Sequence, residues 1–352
     1  MTGRRAPDRA HDRRPGRLPA GLESVAARSL LRPGPLVWLP LTPGDRPLVV
    51  AGESVLAGAT LAACVRGAST VEVAAGAVPA DARPGAWLED ERGSRGGRRA
   101  RADDNGGELL YRSDGAWRVV TGERTELLEA PAAGIVREVR PGSGIALAIA
   151  GAGVPGVLAI GGPARGRLEI LGDSDGELRP GSLDVGRAGS IVVVGSRIDA
   201  ETLTRARAMG IRGVVVAAIS SRDVRDIAAS EARQRASLQP LSPFAILVLE
   251  GHVRRPIPDP LAAILGALAG RDVAIVGDPP LLLFDQPDAP LPRPTPDRVR
   301  VRYGPAAGRE GRWIGLAGRR RFGAGVQLEA GLVEIGDGRP RAVPLADLER
   351  FV

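Results

Sequence analysis

Between residues 189 and 219, two runs of valine and isoleucine flank a segment whose apolar residues recur at helical spacing. The runs read GSIVVVGS and IRGVVVAAI, and AETLTRARAM lies between them, with Asp199 before it and Gly210 after it. Aspartate is a common helix N-cap, and glycine commonly ends a helix. Strands that are apolar at every position are buried on both faces, as in parallel sheets. This part of the chain therefore predicts a β-α-β unit with two parallel strands.

Strand and helix patterns continue to alternate up to residue 284. After 219 come a polar helical pattern, the apolar strand FAILVLEG, the helical DPLAAILGALAG and the strand RDVAIVG. We therefore predict an α/β domain with a partly parallel sheet over 173–284. Before it, short apolar segments alternate with closely spaced glycines. They predict a glycine-rich β domain over 36–172 with an exposed loop at 91–107.

The two ends of the chain differ in composition from its body. Residues 1–35 begin with a stretch rich in arginine, proline and glycine, and we expect a disordered basic arm there. Five prolines within 285–297 predict a stiff linker. The last segment, 298–352, has alternating apolar residues and turn glycines that predict a small β-barrel. The expected fold class is a multidomain α/β protein.

The absence of lysine excludes several chemistries. All 48 basic residues are arginine, so the chain cannot carry lipoate or biotin on lysine, form a lysine Schiff base or complete a Walker A loop. Having only 1 cysteine excludes an internal disulfide, and 2 histidines give little support to a zinc site or a Ser-His-Asp triad. We predict no catalytic residue, no metal and no cofactor, and the sequence favours a protein that is not an enzyme.

The hydropathy of the chain predicts its location, and the distribution of its charge predicts its partners. No apolar run approaches the roughly 18 residues needed to cross a bilayer, and no signal-peptide pattern opens the chain. We expect a cytoplasmic protein without a membrane partner, and its oligomeric state stays open. Of the net charge of +7, residues 1–32 carry +5 and 298–352 carry +5, which leaves −3 between them. Basic ends favour contact with nucleic acid, with a purely solubilising role as the alternative.

The segment 298–315 reads RVRVRYGPAAGREGRWIG, and VPLADLERF follows near the end. Alternating valines, a G-P-x-x-G-x-x-G turn and an apolar strand resemble the KOW motif, the small β-barrel of NusG-type transcription factors and certain ribosomal proteins. Trp313 stands where a smaller aliphatic residue is usual, and Asp347 where asparagine is frequent. The resemblance implies a barrel that binds RNA, a ribosome or RNA polymerase surface, or another protein. It also implies that Gly304, Gly308 and Gly311 form the turn.

The same segment is rich in arginine and aromatic residues. Guanidinium groups bind phosphates with two hydrogen bonds, and aromatic rings stack on bases. Because strand side chains alternate between faces, Arg298, Arg300 and Arg302 should share one exposed face. Trp313 either stacks on a base or belongs to the barrel core. We expect RNA or partner binding through Arg300, Arg302, Tyr303, Arg309, Arg312, Trp313, Arg319, Arg320 and Arg321.

Two stretches within 36–172 have hairpin patterns: AGESVLAGATL (51–61), with V-x-x-G-x-x-L, and EAPAAGIVREVRPGSGIALAIAG (129–151), with P-x-x-G-x-V. They resemble the barrel-sandwich hybrid fold of biotinyl and lipoyl domains, here without the modified lysine. The text from Gly156 to Leu168 and the Gly195-Ser196 turn are similar to an uncharacterised bacterial protein family over 129–284, a likeness that implies no activity.

A second candidate site lies at the predicted strand ends of the α/β domain. Gly195, Ser196 and Arg197 lead from a strand into a helix N-terminus, where an anion can bind. Glu250 and His252 end another strand and form the best acid–base pair that the chain offers. The leading hypothesis is a non-catalytic adaptor that contacts RNA or a ribonucleoprotein. The alternatives are a ligand-binding or enzymatic α/β domain acting at these strand ends, and a structural assembly partner.

Overall fold

The computed structural model describes residues 18–88, 107–178, 183–236, 243–287, 289–336 and 338–352. This part of the chain is rich in β-strands, which form several sheets, two of them mixed, and it contains three α-helices. The chain divides into two compact units. Residues Leu31–Leu291 form one unit, here called the body. The described residues of Met1–Leu30 and Pro292–Val352 form the other, here called the C-terminal module.

The strands in chain order are β1 (Ala26–Arg28), β2 (Arg32–Pro33), β3 (Leu36–Pro40), β4 (Arg46–Pro47), β5 (Ser54–Val55), β6 (Thr60–Ala74), β7 (Trp87–Leu88), β8 (Gly107–Ser113), β9 (Ala116–Glu129), β10 (Gly134–Arg140), β11 (Gly144–Ile149), β12 (Ala152–Pro155), β13 (Leu158–Gly161), β14 (Ala164–Ile170), β15 (Ser190–Val193), β16 (Gly213–Ala218), β17 (Ala245–Gly251), β18 (Asp272–Gly277), β19 (Pro280–Phe284), β20 (Arg298–Val301), β21 (Glu310–Arg321), β22 (Gln327–Glu334), β23 (Pro340–Pro344) and β24 (Leu348–Phe351). The helices are α1 (Ala200–Ala208), α2 (Ser221–Ala236) and α3 (Asp259–Ala267).

The largest sheet of the body has nine strands in the order β13-β17-β16-β15-β14-β18-β19-β12-β2. Strands β14, β15, β16 and β17 are parallel neighbours, and the other pairs are antiparallel. The strands and helices expected between residues 189 and 277 are present, because apolar residues at every strand position bury both sheet faces. The carboxyl ends of the four parallel strands meet at one edge, which positions the strand-end site described below.

Two antiparallel sheets complete the body. One has the order β3-β11-β10-β5, and β10 and β11 form a hairpin within 129–151. The other has the order β4-β6-β9-β8-β7. Its long strands β6 and β9 pair along almost their whole length, from Thr60 opposite Glu129 to Ala74 opposite Ala116.

The C-terminal module is one six-stranded sheet in the order β1-β24-β20-β21-β22-β23. Strand β1 is parallel to β24, and the other pairs are antiparallel. Leu22 and Val25, before β1, pack with Val299, Val301 and Trp313 in the core. A short 3-10 turn, Leu345–Asp347, precedes the last strand.

The structure differs from the predicted domain division in two places. The arm predicted over 1–35 falls partly outside the described residues, but its described part, from residue 18, contains β1 and two core residues of the C-terminal module. Apolar Leu22 and Val25 gain burial there, so the module is not limited to 298–352. The boundary predicted at 172 also lies inside one sheet, because β12, β13 and β14 join the nine-stranded sheet. Most of the predicted loop 91–107 lies outside the described residues.

No helix in the described ranges is both long enough and apolar enough to span a membrane.

Candidate functional site

Trp313, expected either to stack on RNA or to fill the core, belongs to the core of the C-terminal module. It is 3% exposed, and its indole Nε1–H donates to the backbone oxygen of Ala20 at 3.2 Å. A buried indole usually satisfies its N–H in this way. Its ring cannot stack on a base without unpacking the module, so the stacking interpretation is wrong for this residue.

Arg300, predicted to lie on an exposed face, is also buried. Its side chain is 1% exposed, and Nη1 lies 3.6 Å from Glu349 Oε1 on the neighbouring strand β24. Strand β20 is central, with β24 on one side and β21 on the other, and both of its faces are covered except at Arg298. A buried charge must be paired, which the opposing glutamate provides. Arg300 is therefore a structural residue and not a contact to RNA.

Several predicted arginines lie beside carboxylates. Arg298 Nε is 3.1 Å from Glu310 Oε2, and Arg319 Nε is 3.6 Å from Glu329 Oε1. Arg312 donates twice to Glu334 Oε2, at 2.5 and 3.1 Å. These pairs join residues directly opposite each other or on adjacent strands, and they reduce the positive charge available to a polyanion. Among the arginines predicted to bind RNA or a partner, Arg309, Arg320 and Arg321 are exposed and make no ion pair within the described part of this module.

A tight loop at one end of the module presents what we call the loop face: Arg302, Tyr303 and Arg309. The amide of Val301 donates to Arg309 O at 2.9 Å, and the amide of Gly308 donates to Val301 O at 2.8 Å. Gly304 and Gly308 both have φ of +85°, a conformation that favours glycine, so both belong to the turn. Gly311 lies in β21 instead, where a Cβ would sit 2.5 Å from Glu334 O.

The side chains of the loop face combine a ring with positive charge. Tyr303 is 51% exposed, and Arg302 Cζ lies 5.1 Å from the centre of its ring, with Nη2 donating to the Tyr303 hydroxyl at 3.1 Å. Arg302 Nε also lies 3.9 Å from Glu349 Oε2. Arg309 is exposed on the same loop. This arrangement offers a flat surface for stacking next to phosphate-binding groups.

Arg319, Arg320 and Arg321 lie at the opposite end of β21, here called the hairpin end. Arg319 is opposite Glu329, Arg320 opposite Leu328 and Arg321 opposite Gln327, so the central arginine points to the other face of the sheet. At about 3.3 Å per residue, the strand from Arg309 to Arg321 spans at most roughly 40 Å, and two bulges in β21 shorten this distance. The arginines therefore form two separated groups and not one continuous patch.

The strand-end site of the body brings together more residues than the sequence predicted. Ser196 is fully buried, and its hydroxyl lies 3.0 Å from Asp175 O and 3.1 Å from Gly176 O. Arg254 Nε donates to the Ser196 hydroxyl at 3.2 Å. Gly195 has φ of +28°, and a Cβ there would sit 2.2 Å from Gly176 O. These contacts hold the segment 173–176 against the turn after β15.

The helix N-terminus after Arg197 was expected to bind an anion, but the chain's own carboxylates already lie there. Asp199 Oδ1 accepts from Thr202 N at 2.7 Å, and Asp223 Oδ1 accepts from Ala200 N at 3.3 Å. Arg197 Nη2 lies 3.7 Å from Asp223 Oδ2. These carboxylates take the place that an anionic ligand was expected to take, so the anion-site prediction is not supported.

Glu250 lies in β17, and His252 follows Gly251, the last residue of that strand. His252 is exposed, with Nδ1 3.0 Å from the backbone oxygen of Ile219, the residue that follows strand β16. Sequence reasoning missed Arg254 and Asp223. Asp223 could have been found from the sequence, because serine followed three residues later by an acidic residue is typical of a helix start. In the structure Ser220 Oγ donates to Asp223 Oδ2 at 2.5 Å.

The single cysteine lies in a different part of the body. Cys64 is 5% exposed, and burial together with the nearby Asp45 carboxylate raises the pKa of its thiol. A buried thiol that stays protonated is a poor nucleophile. Within the described ranges, no group of His, Cys, Asp and Glu side chains is arranged to hold a metal ion.

Comparison of the sequence with protein-family models and with curated proteins finds no match.

Proposed function

We propose that this protein is a non-catalytic binding protein whose C-terminal module contacts single-stranded RNA through the loop face. The observation that supports it is the exposed Tyr303 ring with Arg302 stacked on it and exposed Arg309 on the same turn. Proteins that bind single strands combine aromatic rings, on which bases stack, with a positively charged path for the backbone.

We propose that the hairpin end adds two further RNA contacts, one on each face of β21, so that the RNA passes around the end of the hairpin. Arg320 and Arg321 are exposed and, within the described part of the module, lack an ion pair. The loop face and the hairpin end are at most roughly 40 Å apart along β21, a distance that a strand of about 12 nucleotides can cover, and OB-folds bind about 4–16 nucleotides each. Few free arginines are involved, so we propose modest affinity and strong dependence on salt.

The module's resemblance to the KOW motif supports the same proposal. A central β20 that pairs with both β21 and the last strand, and a 3-10 turn before that strand, are compatible with a small barrel of this type. For the body, we propose a barrel-sandwich arrangement around the β10–β11 hairpin, without a swinging arm because the chain has no lysine.

The enzymatic alternative has less support. Ser196, Arg197, Arg254 and Asp223 are hydrogen-bonded or ion-paired to one another or to nearby backbone oxygens, which suits a role in holding the strand ends together. A catalytic nucleophile would need a base poised beside it and an open approach for substrate.

The proposal is tested by fluorescence anisotropy of full-length protein with a labelled oligouridine of about 12 nucleotides. We expect Tyr303→Ala to weaken binding by at least about fivefold, as for loss of one stacked base, and Tyr303→Phe to retain binding. Tyr111→Ala is the matched control, since Tyr111 is the other tyrosine and is 44% exposed in the body. Equal affinities of the wild type and the Tyr303→Ala protein would refute the loop face as the contact.

A further inference from the structure

Trp87 and Tyr111 are unusually exposed for a chain so poor in aromatic residues. Only 10 of 352 residues are Phe, Trp or Tyr, and Trp87 is 63% exposed while the other three tryptophans are buried or half-buried. Tyr111 is 44% exposed. Aromatic side chains are enriched in protein–protein interfaces, because their burial on binding contributes much of the affinity.

Strand register puts both rings on the same face of the five-stranded sheet. Trp87 lies directly opposite Glu108, which lies opposite Val120, and Tyr111 lies opposite Arg118. Side chains of directly opposed residues lie on the same face of a sheet, and so do side chains two residues apart on one strand, such as Val120 and Arg118 on β9. Trp87 and Tyr111 therefore lie on the same face. A bulge between Leu109 and Tyr111 turns Tyr111 to this face despite its odd spacing from Glu108.

The other face of the same sheet packs against a local hydrophobic core. It carries Leu109, Trp117 and Val119, which are buried in a local core with Val73 and Val78. The outward residues Trp87, Glu108 and Tyr111, which we call the aromatic face, are therefore not needed for this core.

The charges beside the rings favour a cationic ligand. Arg118 Nη2 lies 2.7 Å from Glu72 Oε1, so these two side chains balance each other. Exposed Glu108 lies directly opposite Trp87 and, within the described residues, makes no ion pair. A carboxylate beside an aromatic ring suits a guanidinium or ammonium group, which the ring attracts through its π face and the carboxylate through charge. The phosphates of a nucleic acid would instead be repelled by Glu108.

We propose that the aromatic face binds an arginine- or lysine-bearing segment of a protein partner. Cationic side chains lie over Trp87 and Tyr111 and pair with Glu108. This interaction is separate from the RNA contact of the C-terminal module and does not depend on it.

The test uses full-length protein and a short fluorescein-labelled peptide of alternating Arg and Gly, followed by anisotropy. We expect Trp87→Ala to weaken peptide binding by about tenfold, with Trp87→Phe intermediate because it keeps a ring. Glu108→Gln should weaken it by about fivefold at low salt. Tyr303→Ala and Glu201→Gln, which change an exposed ring and an exposed carboxylate elsewhere, should leave it unchanged.

Thermal unfolding should show that Trp87→Ala is folded, since the ring lies on the surface. The proposal is overturned if the wild type does not bind the peptide, if Glu201→Gln weakens binding as much as Glu108→Gln, or if Trp87→Ala binds it normally. It is also overturned if Trp87→Ala loses binding of oligouridine instead of the peptide. Failure of RNA binding with retained, Trp87-dependent peptide binding would overturn only the proposed RNA contact.

Discussion

Arg300 on β20 lies directly opposite Glu349 on β24, and Nη1 of the one is 3.6 Å from Oε1 of the other. Arg28, on the N-terminal strand β1, also approaches Glu349 Oε1 at 3.6 Å. The glutamate thus joins both ends of the chain within the C-terminal module. This buried pair explains why Arg300, the central arginine of the regular pattern Arg298, Arg300 and Arg302, does not face solvent.

The pair should matter for stability. Arg300→Ala leaves Glu349 largely buried without the arginine directly opposite it, so we expect a loss of about 3 kcal/mol in the free energy of unfolding of the module. Arg300→Met with Glu349→Gln should lose less than the single change, because no charge remains buried. The change in the free energy of unfolding is measured by hydrogen exchange of the intact protein, followed on the peptides that cover 298–352. Arg320→Ala is the control and should stay within about 0.5 kcal/mol, whereas equal effects of the two changes would contradict the assignment.

The N-terminal residues should be part of the same cooperative unit. Leu22 is fully buried in the core that contains Trp313, so we expect Leu22→Ala to destabilise the module by about 2–5 kcal/mol. Leu18→Ala, at a position 41% exposed, is the matched control. Denaturant unfolding monitored by hydrogen exchange in β20–β24 provides the measurement. A module that is equally stable in both variants would mean that 298–352 folds without the N-terminal segment.

Asp45 predicts a pH dependence of stability in the body. Burial alone would raise the pKa of this carboxyl, but hydrogen bonds from Thr42, Arg66 and Val65 outweigh it and lower the pKa from 3.8 to about 2. The folded state therefore holds this proton less tightly than the unfolded state. The stabilisation, about 2 kcal/mol, is fully present above pH 3.8 and is lost as the pH falls through about 2.

Denaturant unfolding of wild type and Asp45→Asn across this pH range checks the prediction. The variant should be less stable near neutral pH, and the difference between the two proteins should shrink in acid. Glu53→Gln, which removes an exposed carboxylate with a local hydrogen bond, is the control. A difference that is constant with pH would contradict the role of the ionised carboxylate.

A substitution at Ser196 tests whether the strand-end site has a structural or a catalytic role. Ser196→Ala removes a buried hydroxyl that contacts Asp175 O, Gly176 O and Arg254, so we expect destabilisation of about 1–3 kcal/mol. RNA binding by the folded protein should be unchanged. Ser113→Ala, at an exposed strand end, is the control and should have little effect. Unchanged stability in Ser196→Ala would instead favour a functional role for this hydroxyl.

Local pattern was enough to predict the alternating elements between residues 189 and 277, because apolar periodicity and caps such as Asp199 act within a few residues. Pairing between distant segments was not predictable in the same way. Strand β1 pairs with β24 across almost the whole chain, and β12 to β14 join a sheet whose other strands follow 190. No local pattern in the sequence predicts these strand pairings.

The candidate site was predictable only in part, for the same reason. Alternation correctly placed Val299 and Val301 in the core, and the glycine spacing marked the turn at Gly304 and Gly308. The alternation of side chains predicted an exposed Arg300, which is wrong because the second face of β20 is also covered. That cover involves Glu349 and the N-terminal segment, which local alternation does not show. Tyr303 stayed exposed because it lies in the loop, beyond the last paired residue of the strand.

The salt dependence of RNA binding tests the central claim most directly. Anisotropy titrations of full-length protein with the oligouridine, from about 50 mM salt upward, should give a log–log slope of roughly −2 for three phosphate contacts by Arg309, Arg320 and Arg321. Changing these three to alanine should flatten the slope towards zero, whereas Arg222→Ala, which removes an exposed arginine of α2, should leave it unchanged. Absence of RNA binding at about 50 mM salt by folded protein, or a slope that the triple change does not alter, would contradict the account.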